Sequence, residues 1–277
     1  MALKRHKKVP VPPQADGPQP NRAEQKKKQR KKILYLVIML VAVAVFLYSA
    51  VQLILIFIQD KQTDDLYNSL YSDVIPSSSE QESDPMDAVF DFDRLSEINT
   101  EIKGWLVVPE CNVNYPVLLG PTNDAYLRTA YDKTYSFAGS LFLDYRNTGE
   151  FDSRHPIIYG HNQENHKMFS DLVKYRDTAF AEENRYFYLY TKDYTYKYEI
   201  FSTYVVDAYA DTYQLDFADD AAFNTWLAKI KGLSSVDYGV NVSASDKILT
   251  LSTCVFDYDT ARLVVHGKVV ETKPVQQ

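Results

Sequence analysis

Cysteine is nearly absent from this chain: its 277 residues contain two, Cys111 and Cys254. One bridge in so long a chain is not a disulfide framework, so the pair is either an isolated disulfide or two separate thiols, one of them free for chemistry. Glycine is also scarce, at nine residues, and none of them builds a phosphate-cradling loop. The two cysteines lack the close spacing of a structural zinc site. Nucleotide and structural-zinc readings are thereby removed. No segment repeats, and helix and strand patterns do not alternate as a parallel βαβ sheet requires. A metal held by His155, His161 and His166 is disfavoured, because an extended run from 155 to 161 spans about 20 Å, too far for one ion. No cofactor and no metal are expected.

Charge is abundant but unevenly placed. Residues 1–32 carry eleven Lys/Arg against Asp16 and Glu24, a formal +9, so the remainder of this −7 chain carries −16. The basic tail ends in Lys26-Lys27-Lys28-Gln29-Arg30-Lys31-Lys32 directly against a 26-residue uncharged run, 33–58, whose clearly polar members are Ser49 and Gln52. At about 1.5 Å per helical residue that run exceeds the roughly 30 Å hydrocarbon core of a bilayer. It is longer than the apolar part of a cleaved signal peptide, which points to an uncleaved anchor. A basic cluster abutting such a run is a topology signal and not a nucleic-acid arm. The expectation is a single-pass membrane protein with residues 1–32 cytoplasmic, 33–58 spanning the cell membrane, and an acidic domain outside.

Residues 59–88 are polar and acidic, with Pro76-Ser77-Ser78-Ser79-Glu80 at their centre, and read as a flexible linker. The folded domain is expected over 89–272, with 273–277 as a tail. Phe92, Leu95, Ile98 and Ile102 recur at helical spacing and predict a short helix over 91–103. Runs rich in Tyr, Val, Ile and Phe then predict strands at 104–109, 113–118, 140–144, 156–159, 186–191, 195–207, 247–253 and 262–271. Helical patches interrupt them at 168–176 and, more clearly, at 219–231, where Phe223, Trp226, Leu227 and Ile230 share a face. The fold class is mainly β: a closed eight-stranded barrel with an N-terminal helix and a longer helix inserted before the Cys254 strand.

The last two strands carry the chemistry. They form a hairpin that sets Cys254 opposite Arg262 at its inner ends. Alternation puts Thr250, Ser252 and Cys254 on one face, predicting a polar groove above an apolar core, although a buried packing cysteine fits the same pattern. A cysteine nucleophile needs a histidine partner. His6 lies in the basic tail. His266 shares the face of Arg262 but is about 13 Å farther along an extended strand. His155 and His166 read as surface residues. His161 ends the run Pro156-Ile157-Ile158-Tyr159-Gly160-His161-Asn162, where a strand emerges and Gly160 permits close backbone approach.

Thr250-Leu251-Ser252-Thr253-Cys254, the following Arg262 and the upstream Gly160-His161-Asn162 resemble the signature of the sortases, membrane-anchored cysteine transpeptidases of Gram-positive bacteria. The likeness runs over roughly 90–271 and takes in Gly104-Trp105-Leu106, Asn114-Tyr115-Pro116-Val117, Asn123 to Leu127, and Gly139-Ser140-Leu141-Phe142-Leu143-Asp144. The helix before the cysteine strand resembles class B. The resemblance implies an eight-stranded sortase barrel that cleaves a C-terminal sorting signal of secreted surface proteins after Thr, forms a thioacyl intermediate, and passes it to an amine of the lipid-linked peptidoglycan precursor. It implies Cys254 as nucleophile, His161 as general acid/base and Arg262 as oxyanion-stabilising or substrate-positioning group. Asn123, Leu127, Ser252 and Thr253 match substrate-binding positions, and Tyr213 matches a groove-wall tyrosine more loosely. Val255 stands where some class B members carry an acidic residue, with Asp257 as a candidate stand-in. A hydrolase with the same residues and a non-catalytic surface-binding β-domain remain the alternatives.

Overall fold

The computed structural model describes residues 22–75, 84–147, 149–163 and 166–275. Most of the basic tail (1–21), the serine-rich centre of the expected linker (76–83) and residues 276–277 lie outside the described residues. The chain divides into two units, 1–57 and 58–277. In the first, helix α1 (Arg22–Val74) begins. Its apolar stretch, 33–57, is a stripe-free run of Leu, Ile, Val and Phe whose large side chains are exposed. It is the one helix among the described residues that is long and apolar enough to cross a membrane.

In the second unit, α1 continues to Val74, which corrects the expected linker over 59–74. Tyr67, Leu70 and Val74 fall one and two helical turns apart and are buried, while Lys61, Asp64 and Asp65 face outward. The Tyr67 ring sits edge-on to Tyr115 and Tyr131, at 5.1 and 5.3 Å between centroids, and its hydroxyl donates to the Gly139 carbonyl. Lys167 reaches back to the carboxylates of Asp60 and Asp64. This segment is part of the domain's core.

Helix α2 (Phe92–Ile98) is capped by Asp91, whose carboxylate accepts from the Arg94 amide at 2.8 Å. It stops short of the expected 103 because Asn99 is extended and its side chain is spent on the Tyr131 carbonyl and the Tyr126 hydroxyl. The eight strands follow: β1 (Ile102–Val108), β2 (Val113–Leu118), β3 (Leu141–Leu143), β4 (Ile157–Tyr159), β5 (Tyr186–Tyr190), β6 (Tyr194–Asp207), β7 (Ile248–Cys254) and β8 (Ala261–Pro274). They close in the order β1-β2-β3-β4-β7-β8-β6-β5. Only β2/β3 and β4/β7 pair in parallel; every other neighbour is antiparallel. Strand β8 runs to Pro274, paired with Tyr194, so residues 273–274 of the expected tail belong to the barrel's last strand.

The patch at 168–176 is a 3-10 helix over Ser170–Arg176, and α3 (Thr178–Glu183) is a short helix the sequence reading passed over. Helix α4 (Asp220–Gly232) is capped by Asp219, and it buries Phe223, Trp226, Leu227 and Ile230. Its Trp226 ring covers His155 at 4.4 Å between centroids. His155 and His266 are both fully buried, which corrects the surface reading of His155; a polar residue at a strand start shows no periodicity that separates lid-covered from exposed.

Candidate active site

The site is set by register. Strand β4 runs parallel to β7 with Ile157, Ile158 and Tyr159 level with Thr250, Leu251 and Ser252. Two residues beyond Tyr159 and Ser252 come His161 and Cys254, so the parallel pairing carries the imidazole to the level of the thiol. Three bonds fasten the extension. The Gly160 amide donates to the Ser252 carbonyl at 3.2 Å, Thr253 Oγ1 to the Gly160 carbonyl at 2.8 Å, and Asn162 Nδ2 to the Cys254 carbonyl at 2.9 Å. Gly160 is required here, since a Cβ would lie 2.5 Å from Leu141 Cδ2 and 2.7 Å from the Phe169 ring. Across the hairpin Cys254 and Arg262 are direct partners, with side chains on one face.

A cleft of about 270 Å³ opens over these residues, lined by His161, Cys254 and Arg262 together with Asn123, Leu127, Tyr213, Ser252 and Thr253. Every site residue expected from the sequence thus borders one cavity, but with unequal parts. Thr253 is buried and spends its hydroxyl on Gly160, so it fixes the strand and offers the cleft no side-chain donor. Asn123 accepts from the Tyr145 amide at 2.9 Å. The Tyr213 hydroxyl shares a 2.9 Å hydrogen bond with Ser252 Oγ; burial pushes this phenol up to about 12, so it stays protonated. Cys111 is buried elsewhere, its thiol pushed up to about 12 by burial, and both cysteines are free. The polar face of β7 does not stay a groove along its length: Thr250 is buried, its hydroxyl between His155 and His266.

His161 Nε2 lies 2.7 Å from the Leu127 carbonyl. A carbonyl only accepts, so Nε2 carries the proton and Nδ1 of the neutral ring is left to exchange one. Burial holds His161 below its ordinary value; the Leu127 carbonyl opposes this and the nearby Arg128 charge adds to it. Near neutral pH the ring is therefore an acceptor. Asp257 is paired with Arg176, at 2.8 and 3.0 Å, and the group that holds His161 is the Leu127 carbonyl instead. Arg262 Nη1 donates to the Ala261 carbonyl at 2.9 Å, which anchors one arm of the guanidinium and leaves the rest of the fork for a ligand. A thiol, a proton acceptor and a planar cation above a cleft can together perform acyl transfer.

Sequence reasoning missed three parts of this arrangement. The main-chain carbonyl of Leu127 that fixes the His161 tautomer leaves no side-chain signature. Tyr159 lines the cleft, stacks 6.1 Å from Tyr213, and donates to Asp144 at 3.0 Å. Asp144 itself has no exposed surface; burial raises it, but the two bonds from Arg146, at 2.7 and 2.8 Å, win and hold it below the usual carboxylate range. The parity of Tyr159 with His161 was the available signal. Tyr159, Tyr213 and Asn123 also border a second, more polar recess of about 420 Å³ that takes in Arg146 and Gln214.

Comparison with known proteins agrees with this geometry. Residues 106–270 match the family model described as the sortase domain. Sortase B of Listeria monocytogenes is 38% identical over 178 residues, 64% of this chain and 72% of that protein, and sortase B of Staphylococcus aureus is 31% identical over 235 residues, 83% and 93% of the two chains. A crystal structure of sortase B from Bacillus anthracis in complex with AAEK1 superposes with a TM-score of 0.67 at 33% identity, covering 78% of this chain and 99% of the other. A Staphylococcus aureus sortase B–substrate complex superposes equally well, at 0.67 and 30% identity, covering 77% and 99%. The chain belongs to the sortase family as a class B-like member, a cysteine transpeptidase.

Proposed function

We propose that this transpeptidase cleaves a C-terminal sorting signal of secreted surface proteins after Thr and joins the new carboxyl end to an amine of the lipid-linked peptidoglycan precursor. The observation that carries the reading is the register that brings His161 level with Cys254 while Arg262 faces it across the hairpin. His161 Nδ1 takes the Cys254 thiol proton, the thiolate so formed attacks the Thr carbonyl carbon, and the electron pair moves to an oxyanion facing Arg262. Collapse breaks the C–N bond, and the departing amine takes its proton from His161, leaving a thioester. The incoming amine then gives a proton to His161 Nδ1 as it attacks, and the thiolate leaves. Asn123, Leu127, Tyr213 and Ser252 bind the peptide, with Thr253 acting through the strand it fixes.

The anchor is 33–58, with 1–32 in the cytoplasm and the catalytic domain outside, where sorting substrates and wall precursors meet it. The uncharged run and the basic cluster before it support this orientation. The test is mass analysis of products from a peptide library, with and without candidate amines. Amide-linked products of Thr-ended fragments are expected, their yield rising with amine concentration. Free acid as the sole product under saturating amine would replace transfer with hydrolysis.

A further inference from the structure

Beneath the cleft lies a buried hydrogen-bond chain that the reaction does not use. His155 Nδ1 contacts the Gln214 carbonyl at 2.7 Å, and His155 Nε2 contacts Thr250 Oγ1 at 2.6 Å. Thr250 Oγ1 in turn meets His266 Nδ1 at 2.6 Å, His266 Nε2 meets the Tyr204 hydroxyl at 3.2 Å, and that hydroxyl meets Thr212 Oγ1 at 2.9 Å. His155, Thr250, His266, Tyr204 and Thr212 are all buried.

One acceptor at the end assigns every proton. The Gln214 carbonyl cannot donate, so His155 Nδ1 carries hydrogen, and Nε2 of the neutral ring must accept from Thr250. The single Thr250 hydrogen is then used, so His266 Nδ1–H donates to Thr250 Oγ1. His266 Nε2 is left to accept from Tyr204, and Tyr204 accepts from Thr212. The chain starts at Thr212 and ends at Gln214, the two neighbours of Tyr213. Thr250 and Ser252 share a face of β7; the first serves the histidines and the second bonds Tyr213. Arg146 holds the Tyr213 carbonyl at 3.3 Å and Trp226 Nε1 the Asp211 carbonyl at 3.1 Å, so the segment has other anchors, but these do not fix both flanks of the tyrosine.

We propose that His155, Thr250 and His266 are positioning residues: their one-directional hydrogen-bond chain clamps both flanks of Tyr213 and so sets the wall of the peptide cleft. This rests on reading that cleft as the sorting-peptide site. Thr250→Val removes the shared hydroxyl at nearly constant shape, whereas Thr250→Ser keeps it.

Steady-state transpeptidation is measured with the full-length chain in detergent micelles. Thr250→Val is expected to raise KM for the sorting peptide about tenfold with kcat within about twofold, because ground-state fit and not the reacting groups is disturbed. Thr250→Ser restores KM. In a Tyr213→Ala background Thr250→Val adds almost nothing, since the chain acts through that ring. An unchanged KM in folded Thr250→Val, or effects that multiply with Tyr213→Ala, overturns the proposal. An independent readout uses the wild-type chain labelled with ¹⁵N-histidine: both His155 and His266 must be neutral Nδ1–H tautomers at pH 7, and an Nε2–H assignment for either overturns it. If the wild type does not turn over any sorting peptide, the reading of the function fails, while the tautomer measurement still decides the chain.

Discussion

Replacing Arg262 by Lys separates charge from geometry. The guanidinium faces Cys254 across the β7/β8 register and is anchored through Nη1 to the Ala261 carbonyl, so its remaining donors project in a fixed fork. Lysine keeps the positive charge but concentrates its donors in one flexible ammonium, which cannot hold the carbonyl and receive an oxyanion at the same time. If Arg262 acts on the oxyanion, the loss is that of one preorganised donor, about 10²–10³ in turnover or roughly 2.7–4 kcal/mol. If it only favours the thiolate, the loss is small, because the cation remains. The fold should change little: the one anchoring bond is worth about 1–3 kcal/mol, and lysine can replace part of it, so Tm should fall by a few degrees at most. The assay pairs single-turnover acylation by a sorting peptide with alkylation of Cys254 by iodoacetamide, which requires thiolate but no oxyanion site. Acylation should fall at least a hundredfold while alkylation stays within about threefold. Acylation near the wild-type rate would refute the geometric role and leave only bulk electrostatics.

Three further outcomes follow from the same contacts. His161→Ala should lower turnover by about 10²–10⁴ while leaving the folded protein alkylatable at Cys254, as read by mass shift. Under native conditions alkylation should modify Cys254 alone, and Cys111→Ala should keep full activity, because burial keeps the Cys111 thiol protonated and inaccessible. Folding stability should drop as pH falls: burial lowers His155 from 6.5 to about 4, with the Gln214 carbonyl and Asp144 opposing and Arg146 adding. The unfolded chain therefore binds the proton first, and His155 alone removes about 3 kcal/mol between pH 6.5 and 4, which urea melts across that window measure.

Much of the barrel was legible because its strands are long runs of Tyr, Val, Ile and Phe whose burial needs no special geometry. The hairpin partners Cys254 and Arg262 could be paired from the length of the connection between them. The role of residues 59–74 was hidden because Tyr67, Leu70 and Val74 are a thin apolar stripe among Asp60, Lys61, Asp64 and Asp65. The buried histidines were illegible for a different reason. Whether His155 meets water or Thr250 depends on α4 folding over it, a contact between segments about seventy residues apart in sequence, and no local pattern encodes it. His161 was found from its strand end, but its orienting partner is a main-chain carbonyl, and any residue at position 127 would present one.

The most direct test is the covalent intermediate. Full-length protein mixed with a sorting peptide in the absence of amine, quenched in acid and weighed intact, should carry one acyl fragment ending in Thr, located on Cys254 after digestion and discharged when amine is added before the quench. An adduct on Cys111, or peptide cleavage that persists in Cys254→Ala, would contradict the account.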